Sequence, residues 1–191
     1  MCVRALLLDG SVGEEMRPAV EASESALREM GHQVETVRLK DKRIGQCRGC
    51  FGCWVRTPGQ CIIDDDANGI MRSFVSSHVI VLLTPVTFGG HSSQLKKALD
   101  RMLGSTLPYL ERCGRETRHP RRYDMVQRML FVGLLPHRDH EAQATYRELS
   151  ERNALNFRAS GWAMALVFYN ERPEMASIAV REALLQAGIA P

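Results

Sequence analysis

Four of the six cysteines crowd into one stretch, Cys47, Cys50, Cys53 and Cys61, with the spacing C-x2-C-x2-C-x7-C. Two-residue gaps let consecutive thiolates wrap one small iron–sulfur cluster, with the fourth returning from a nearby loop. Four thiolates also suit tetrahedral zinc. The plainer alternative is reduced thiols or a disulfide packed around Phe51 and Trp54, since cysteine is among the most buried residue types. The second stretch with chemical content is Thr84-Pro85-Val86-Thr87-Phe88-Gly89-Gly90-His91-Ser92. Pro85 stiffens it, and Gly89 and Gly90 let the backbone approach a flat ligand closely. Phe88 can lie against a planar ring, while N–H groups at the start of the next helix can stabilise negative charge. His91, at the mouth of this loop, reads as solvated, with substrate contact as the sharper alternative. The ordinary alternative for the whole loop is a strand-to-helix turn that uses glycine for its geometry.

Positioning these residues requires a regular frame, and the hydrophobic pattern supplies one. Four short apolar runs read as buried parallel strands, residues 5–8, 79–83, 130–135 and 163–168, and a fifth, 33–39, alternates as a strand nearer the sheet edge does. Helical patterns fill the intervals. Val20, Ser23, Leu27 and Met30 share a face that Gly31 ends, and Asp64–Asp66 precede Ile70, Met71, Phe74 and Val75. The three aspartates read as helix caps before metal carboxylates. Ser92 can cap a helix buried through Leu95, Ala98, Leu99 and Met102. Ala142, Tyr146 and Leu149 mark a fourth helix, and Ile178 with Leu185 a fifth. Asp100 and Arg101 read as a local structural pair.

Such alternation favours a doubly wound parallel sheet of the α/β class, three layers deep, with strand order 2-1-3-4-5. Its ligand crevice lies beyond the carboxyl ends of the first, third and fourth strands. The chain reads as a single domain over 1–191, with a cysteine-rich loop at 40–63 and an irregular excursion at 104–127. Long loops in a compact domain usually carry function or an interface.

At 45% apolar and 25% charged residues the composition is that of a globular protein. The net charge of +3 is weak. Arg115, Arg118, His119, Arg121, Arg122 and Arg128 read as a solvated basic loop without interleaved aromatics, so no nucleic-acid partner is expected. No apolar run is long enough for a membrane span, and Met1-Cys2-Val3-Arg4 carries no secretory pattern; the expected place is the cytoplasm. Cys2 and Cys113 read as structural. No P-loop signature is present, and no Ser-His-Asp set can be argued from order alone.

Residues Thr84-Pro85-Val86-Thr87-Phe88-Gly89-Gly90, followed by Ser93-Gln94-Leu95-Lys96 and Leu99-Asp100-Arg101, resemble the flavin loop of the NAD(P)H-dependent FMN reductase family. Gly49-Cys50-Phe51-Gly52-Cys53-Trp54, Thr57-Pro58-Gly59, Cys61 and Asp64-Asp65 resemble the same family and the related iron–sulfur flavoproteins. The resemblance implies a flavodoxin-like fold, bound FMN, and NAD(P)H as electron donor to a small flavin or quinone-like acceptor. It implies a homodimer or tetramer with flavin near the subunit interface. It also makes Cys47, Cys50, Cys53 and Cys61 candidate ligands of a 4Fe-4S cluster, and Pro85, Val86, Thr87, Phe88, Gly89, Gly90 and His91 candidates for holding the flavin.

The first loop departs from the pattern. Relatives open with glycine-serine-proline-arginine, then asparagine and threonine, to hold the FMN phosphate. Here Gly10-Ser11-Val12-Gly13-Glu14-Glu15-Met16-Arg17-Pro18 keeps only Gly10 and Ser11. With Gly13 these remain the candidate phosphate contacts. Glu14 and Glu15 suit a helix dipole but repel a phosphate, at a cost of about 4 kcal/mol per unit pair at ~4 Å. Arg17 would offset this if it turned inward. Three readings follow: an FMN-dependent oxidoreductase; an iron–sulfur flavoprotein electron carrier; and a flavin-less flavodoxin-fold binding or thiol-sensing module.

Overall fold

The computed structural model describes residues 3–190. Cys2 lies outside them. The first half of the chain runs β1 (Arg4–Asp9), α1 (Arg17–Glu29), β2 (Gln33–Arg38), α2 (Gly52–Val55), α3 (Ala67–Ser76), β3 (Val79–Pro85) and α4 (Ser93–Asp100). It continues through β4 (Glu111–Cys113), β5 (Glu116–Arg118), β6 (Arg128–Leu135), α5 (His140–Asn156), β7 (Gly161–Phe168) and α6 (Pro173–Gln186). The main sheet is parallel in the order β2-β1-β3-β6-β7, which is the expected 2-1-3-4-5 arrangement. Its central strands are buried on both faces, and this is why they read as unbroken apolar runs.

Alternate strand residues feed two cores. Leu7, Val81, Leu83 and Val132 face α1 and α6, whereas Leu6, Leu8, Ile80, Leu82 and Phe131 face α3, α4 and α5. Local signals set the helix ends. Pro18 sits in the first turn of α1, whose C-terminal stop is Gly31 at φ +83°. The Ser92 side chain caps α4, and that of Asp139 caps α5 by accepting from Glu141 and Ala142.

Three details differ from the pattern reading. Ile178 and Leu185 lie on the outer face of α6, 50% and 58% exposed, because Ala176, Val180, Ala183 and Leu184 form its buried side. The excursion at 104–127 is partly regular, with β4 and β5 forming an antiparallel hairpin. Its arginines are engaged in part: Arg122 donates to Gly104 O (2.9 Å), Arg121 to Arg158 O, and Arg118 pairs with Glu116.

Candidate functional site

The loops after β1 and β3 are latched together at the head of the sheet. Gly10 N–H donates to Leu83 O (2.8 Å), and Ser92 Oγ donates to Gly10 O (2.6 Å) while accepting from Leu95 N–H (3.2 Å). Thr84 Oγ1 accepts from Ser92 N–H (2.8 Å). A Cβ at position 10 would lie 2.7 Å from Leu95 Cβ and 2.8 Å from Ser92 Oγ, so glycine is what permits this approach. Gly10 therefore forms the buried floor of the crevice.

Above that floor, Val86 N–H is tied to Leu134 O (2.8 Å), and Thr87 and Gly90 exchange both backbone hydrogen bonds at 3.0 and 2.9 Å. The two residues between them have positive φ, Phe88 at 51° and Gly89 at 74°. This is the primed-turn geometry that reverses a chain in two residues. Glycine accepts it freely; phenylalanine pays roughly 1–2 kcal/mol for the left-handed conformation. In return the turn carries an aromatic ring fully in solvent beside the crevice. Pro85, Val86, Thr87, Phe88, Gly89 and Gly90 are brought together here.

His91 departs from the solvated expectation. Both ring nitrogens are buried and without a partner among the described residues. The ring lies 6.3 Å from Phe131, nearly parallel, and edge-on to Tyr146 at 5.6 Å. Burial, with a smaller contribution from Lys96, lowers its pKa to about 4, so the imidazole is neutral near pH 7.

In the first loop Ser11 is buried, and both its hydroxyl (2.7 Å) and its N–H (2.9 Å) donate to Asp9 Oδ1. It shapes the loop and has no hydroxyl free for a phosphate. Gly13 is exposed, with its carbonyl turned to Lys40. Among the described residues the N–H groups of Val12, Gly13, Glu14 and Glu15 meet no protein acceptor. Glu14 turns toward the end of β2, where Lys40 just beyond it (3.2 Å) and Arg38 (3.7 Å) neutralise it and hold its carboxyl below the usual range. Arg17 pairs with Glu21 (3.5 Å) along the exposed side of α1 and does not turn inward.

The cysteine loop is turned at both sides of Cys50 by positive φ, Gly49 at 62° and Phe51 at 54°. Cys47 and Cys50 are exposed, Cys53 and Cys61 half-buried, and all four thiols are unpaired. Burial, then the neighbouring Cys61 and Cys47, push the Cys53 thiol up. Among the described residues no three thiol, imidazole or carboxylate groups converge on a point that one metal ion could occupy. Cys113 is half-buried beside Glu111 (Sγ–Oε1 3.7 Å). A cavity of about 890 Å³ joins the two stretches, lined by Gly90, His91, Leu99, Leu149, Arg152 and Cys47 among others.

Sequence reading missed what holds the cysteine loop. Arg101 does not pair with Asp100, because neighbouring residues on a helix do not face each other. Asp100 instead takes Lys96 one turn away, and Arg101 forms a buried ion pair with Asp65 (Nη1–Oδ2 2.8 Å, Nη2–Oδ1 2.9 Å). Asp65 Oδ1 also accepts from Ala67 N–H (3.0 Å), a capping contact, and Asp66 accepts from Arg43 N–H (2.7 Å). Burial pushes the Asp65 carboxyl up, but Arg101 with the Gly45 and Ala67 amides outweighs this and holds it low. Asn68 adds bonds to Cys61 N–H (3.0 Å), Cys61 O (3.1 Å) and Ile63 O (3.0 Å). The run of aspartates before α3 was the available sign that a buried cation would be met there.

Comparison with known proteins bears on this arrangement. Residues 3–113 match the family model described as NADPH-dependent FMN reductase. An iron–sulfur flavoprotein of Methanocaldococcus jannaschii is 39% identical over 77 residues, covering 40% of this chain and 39% of that protein. One from Methanosarcina thermophila is 28% identical over 89 residues, 47% of this chain and 46% of the other. The chain thus spans less than half the length of these curated relatives. Among solved structures, an NAD(P)H:quinone oxidoreductase from Methanothermobacter marburgensis superposes with a TM-score of 0.70 at 15% identity, over 96% of this chain and 98% of that one. An FMN-dependent NADH-azoreductase from Bacillus anthracis, solved with FMN, gives 0.68 at 11% identity over 100% of both chains. At such identities the likeness is one of fold, and the fold is flavodoxin-like.

Proposed function

Because the chain belongs to the NADPH-dependent FMN reductase family, we propose that it is an oxidoreductase passing electrons from NAD(P)H through FMN to a small flavin or quinone-like acceptor. The observation that carries this reading is Phe88: a solvent-exposed ring on a turn with two positive φ values, at the carboxyl end of β3. Conformational cost without buried contact is characteristic of a backbone shaped for a ligand. FMN supplies the hydride and electron chemistry. Pro85, Val86, Thr87, Gly89 and Gly90 bring the backbone against the ring, Gly89 with an N–H that meets no protein acceptor among the described residues, and Phe88 lies along it. His91, neutral and packed on Phe131 and Tyr146, supports this turn from beneath without adding charge. Gly10 forms the floor, Ser11 fixes the loop through Asp9, and the N–H groups from Val12 to Glu15 with Gly13 hold the phosphate. With Glu14 neutralised by Lys40, one of the two expected repulsions is reduced, while the Glu15 carboxylate folds back over Gly13 and has to turn away to admit a phosphate. The cavity beside Gly90 and His91 is the place for the acceptor, large enough for a compact ring system.

Cys47, Cys50, Cys53 and Cys61 take a 4Fe-4S cluster in this reading. These four thiols would hold it as thiolates, and the same donor set suits tetrahedral zinc, which analysis for iron and acid-labile sulfide distinguishes. The second reading, an iron–sulfur flavoprotein electron carrier, is favoured by this donor set and by the relatives that bear that name. The working form is a homodimer or tetramer in the cytoplasm, where thiols stay reduced. Anaerobic purification, an absorbance spectrum and a titration with FMN test both readings. Saturable FMN binding and bleaching of the flavin band by NADPH are expected; failure to bind FMN overturns the oxidoreductase reading. Iron and acid-labile sulfide measure the cluster separately.

A further inference from the structure

We propose that Arg101 is the positioning residue of the four-cysteine site: with Asp65 it clamps the two arms of the cysteine loop, and it reserves its remaining N–H for the sulfur of Cys61. This rests on the reading that the cysteines hold a cluster. The two arms end near Gly45 and Ile63, each two residues from an outer cysteine, Cys47 and Cys61. Arg101 reaches both. Its Nη1 donates to Gly45 O (2.8 Å) and its Nη2 to Ile63 O (3.2 Å), while Asp65 Oδ2 accepts from Gly45 N–H (2.8 Å). One ion pair thereby sets the separation of the loop's ends.

Stability alone does not account for the pair. Its side chains are 1% and 4% exposed, and at such depth the cost of removing two charges from water cancels most of their attraction; apolar residues of like volume serve stability as well. What the ionic version supplies is geometry. The planar guanidinium fork addresses a carboxylate and two carbonyls in fixed directions, which no apolar residue and no lysine can do. The remaining donor, Arg101 Nε–H, is buried and has no acceptor among the described residues. Asn68 ties Cys61 to the same Ile63 carbonyl that Arg101 holds, which brings the cysteine beside the guanidinium. An orphaned buried donor beside a candidate thiolate ligand is the arrangement by which hydrogen bonds to sulfur tune a cluster.

The test uses D65N/R101M in the full chain. The amide introduced by D65N retains an oxygen for the Ala67 N–H, and no charge is left buried. After anaerobic reconstitution with iron and sulfide, we expect FMN affinity within twofold of wild type. Iron and sulfide per chain should fall at least fivefold, or any cluster retained should have a more negative potential because its sulfur donor is gone. If D65N/R101M no longer binds FMN, R101K is read in its place, since it keeps the charge without the fork, and the same losses are expected. Wild-type iron content with an unchanged potential overturns the proposal. If the wild-type protein itself takes up neither iron nor sulfide, the cluster reading falls. The clamp is then judged by mapping diamide-induced disulfides: one dominant link in wild type, scattered over all four cysteines in the variant, upholds it, and identical patterns overturn it.

Discussion

At the scale of single residues, cost and exposure separate ligand-facing groups from packing groups. Phe88 is held at φ 51° with its ring in solvent, so removing the ring takes away little from the fold and much from a stacked ligand. Phe88→Ala is expected to weaken FMN binding about tenfold, roughly 1.4 kcal/mol. Its urea midpoint should stay within experimental scatter, since exposed substitutions fall within about 0.5 kcal/mol. Flavin fluorescence titration and urea unfolding check the two halves. His91 is the opposite case. The unfolded imidazole takes a proton below about pH 6.5, whereas the folded one resists until about pH 4. The unfolded state thus binds more protons between those values, and stability falls as pH drops from 6.5 to 4, by about 3 kcal/mol at most. His91→Phe keeps the aromatic packing and should flatten that part of the stability profile. Urea midpoints at pH 7 and 4.5 for both proteins decide it; parallel curves would show that His91 is not the titrating group.

At the scale of elements, the site depends on how closely the β1 and β3 loops approach. A Cβ on residue 10 meets Leu95, Ser92 and the Leu83 carbonyl at 2.7, 2.8 and 3.2 Å, and Leu83 O is backbone that cannot rotate away. Gly10→Ala should therefore destabilise the fold by about 1–3 kcal/mol, the usual range for overpacking. It should also weaken FMN binding, because the latch through Ser92 Oγ opens. Ser92→Ala loses the cap of α4 and the bond to Gly10 O without any clash, and is expected to cost about 1–2 kcal/mol. Urea unfolding of both variants, each followed by FMN titration, checks this: both should lose stability and FMN affinity, and wild-type behaviour of either would show that the latch does not shape the site. Elements were largely legible in advance, because strand runs and helix stops are short-range patterns. The face of α6 was misread because Ile178 and Leu185 are the larger apolar residues, yet the close contact with α1 admits the smaller Ala176 and Ala183.

At the scale of the whole molecule, the outer side of α6 leaves Met175, Ile178 and Leu185 exposed, and the proposed homo-oligomer is tested there. Sedimentation at micromolar concentration should show a dimer or tetramer, and Ile178→Glu should shift it toward monomer with little change in thermal midpoint. An unchanged distribution would place the contact on another face. No helix among the described residues is long and apolar enough to cross a membrane. The strands and the helices between them, the glycine turn after β3 and the spacing of four cysteines were legible in the sequence alone, since each depends on neighbours a few residues apart, and the strand order followed from that alternation with right-handed crossovers. The tertiary structure decided who pairs with whom. Arg101 takes Asp65 across 36 residues instead of the adjacent Asp100, Lys40 reaches back 26 residues to neutralise Glu14, and His91 sinks between Phe131 and Tyr146. Those partners are set by the packing of remote segments, where a charge or an imidazole takes its protonation state and direction from surroundings that no local pattern encodes.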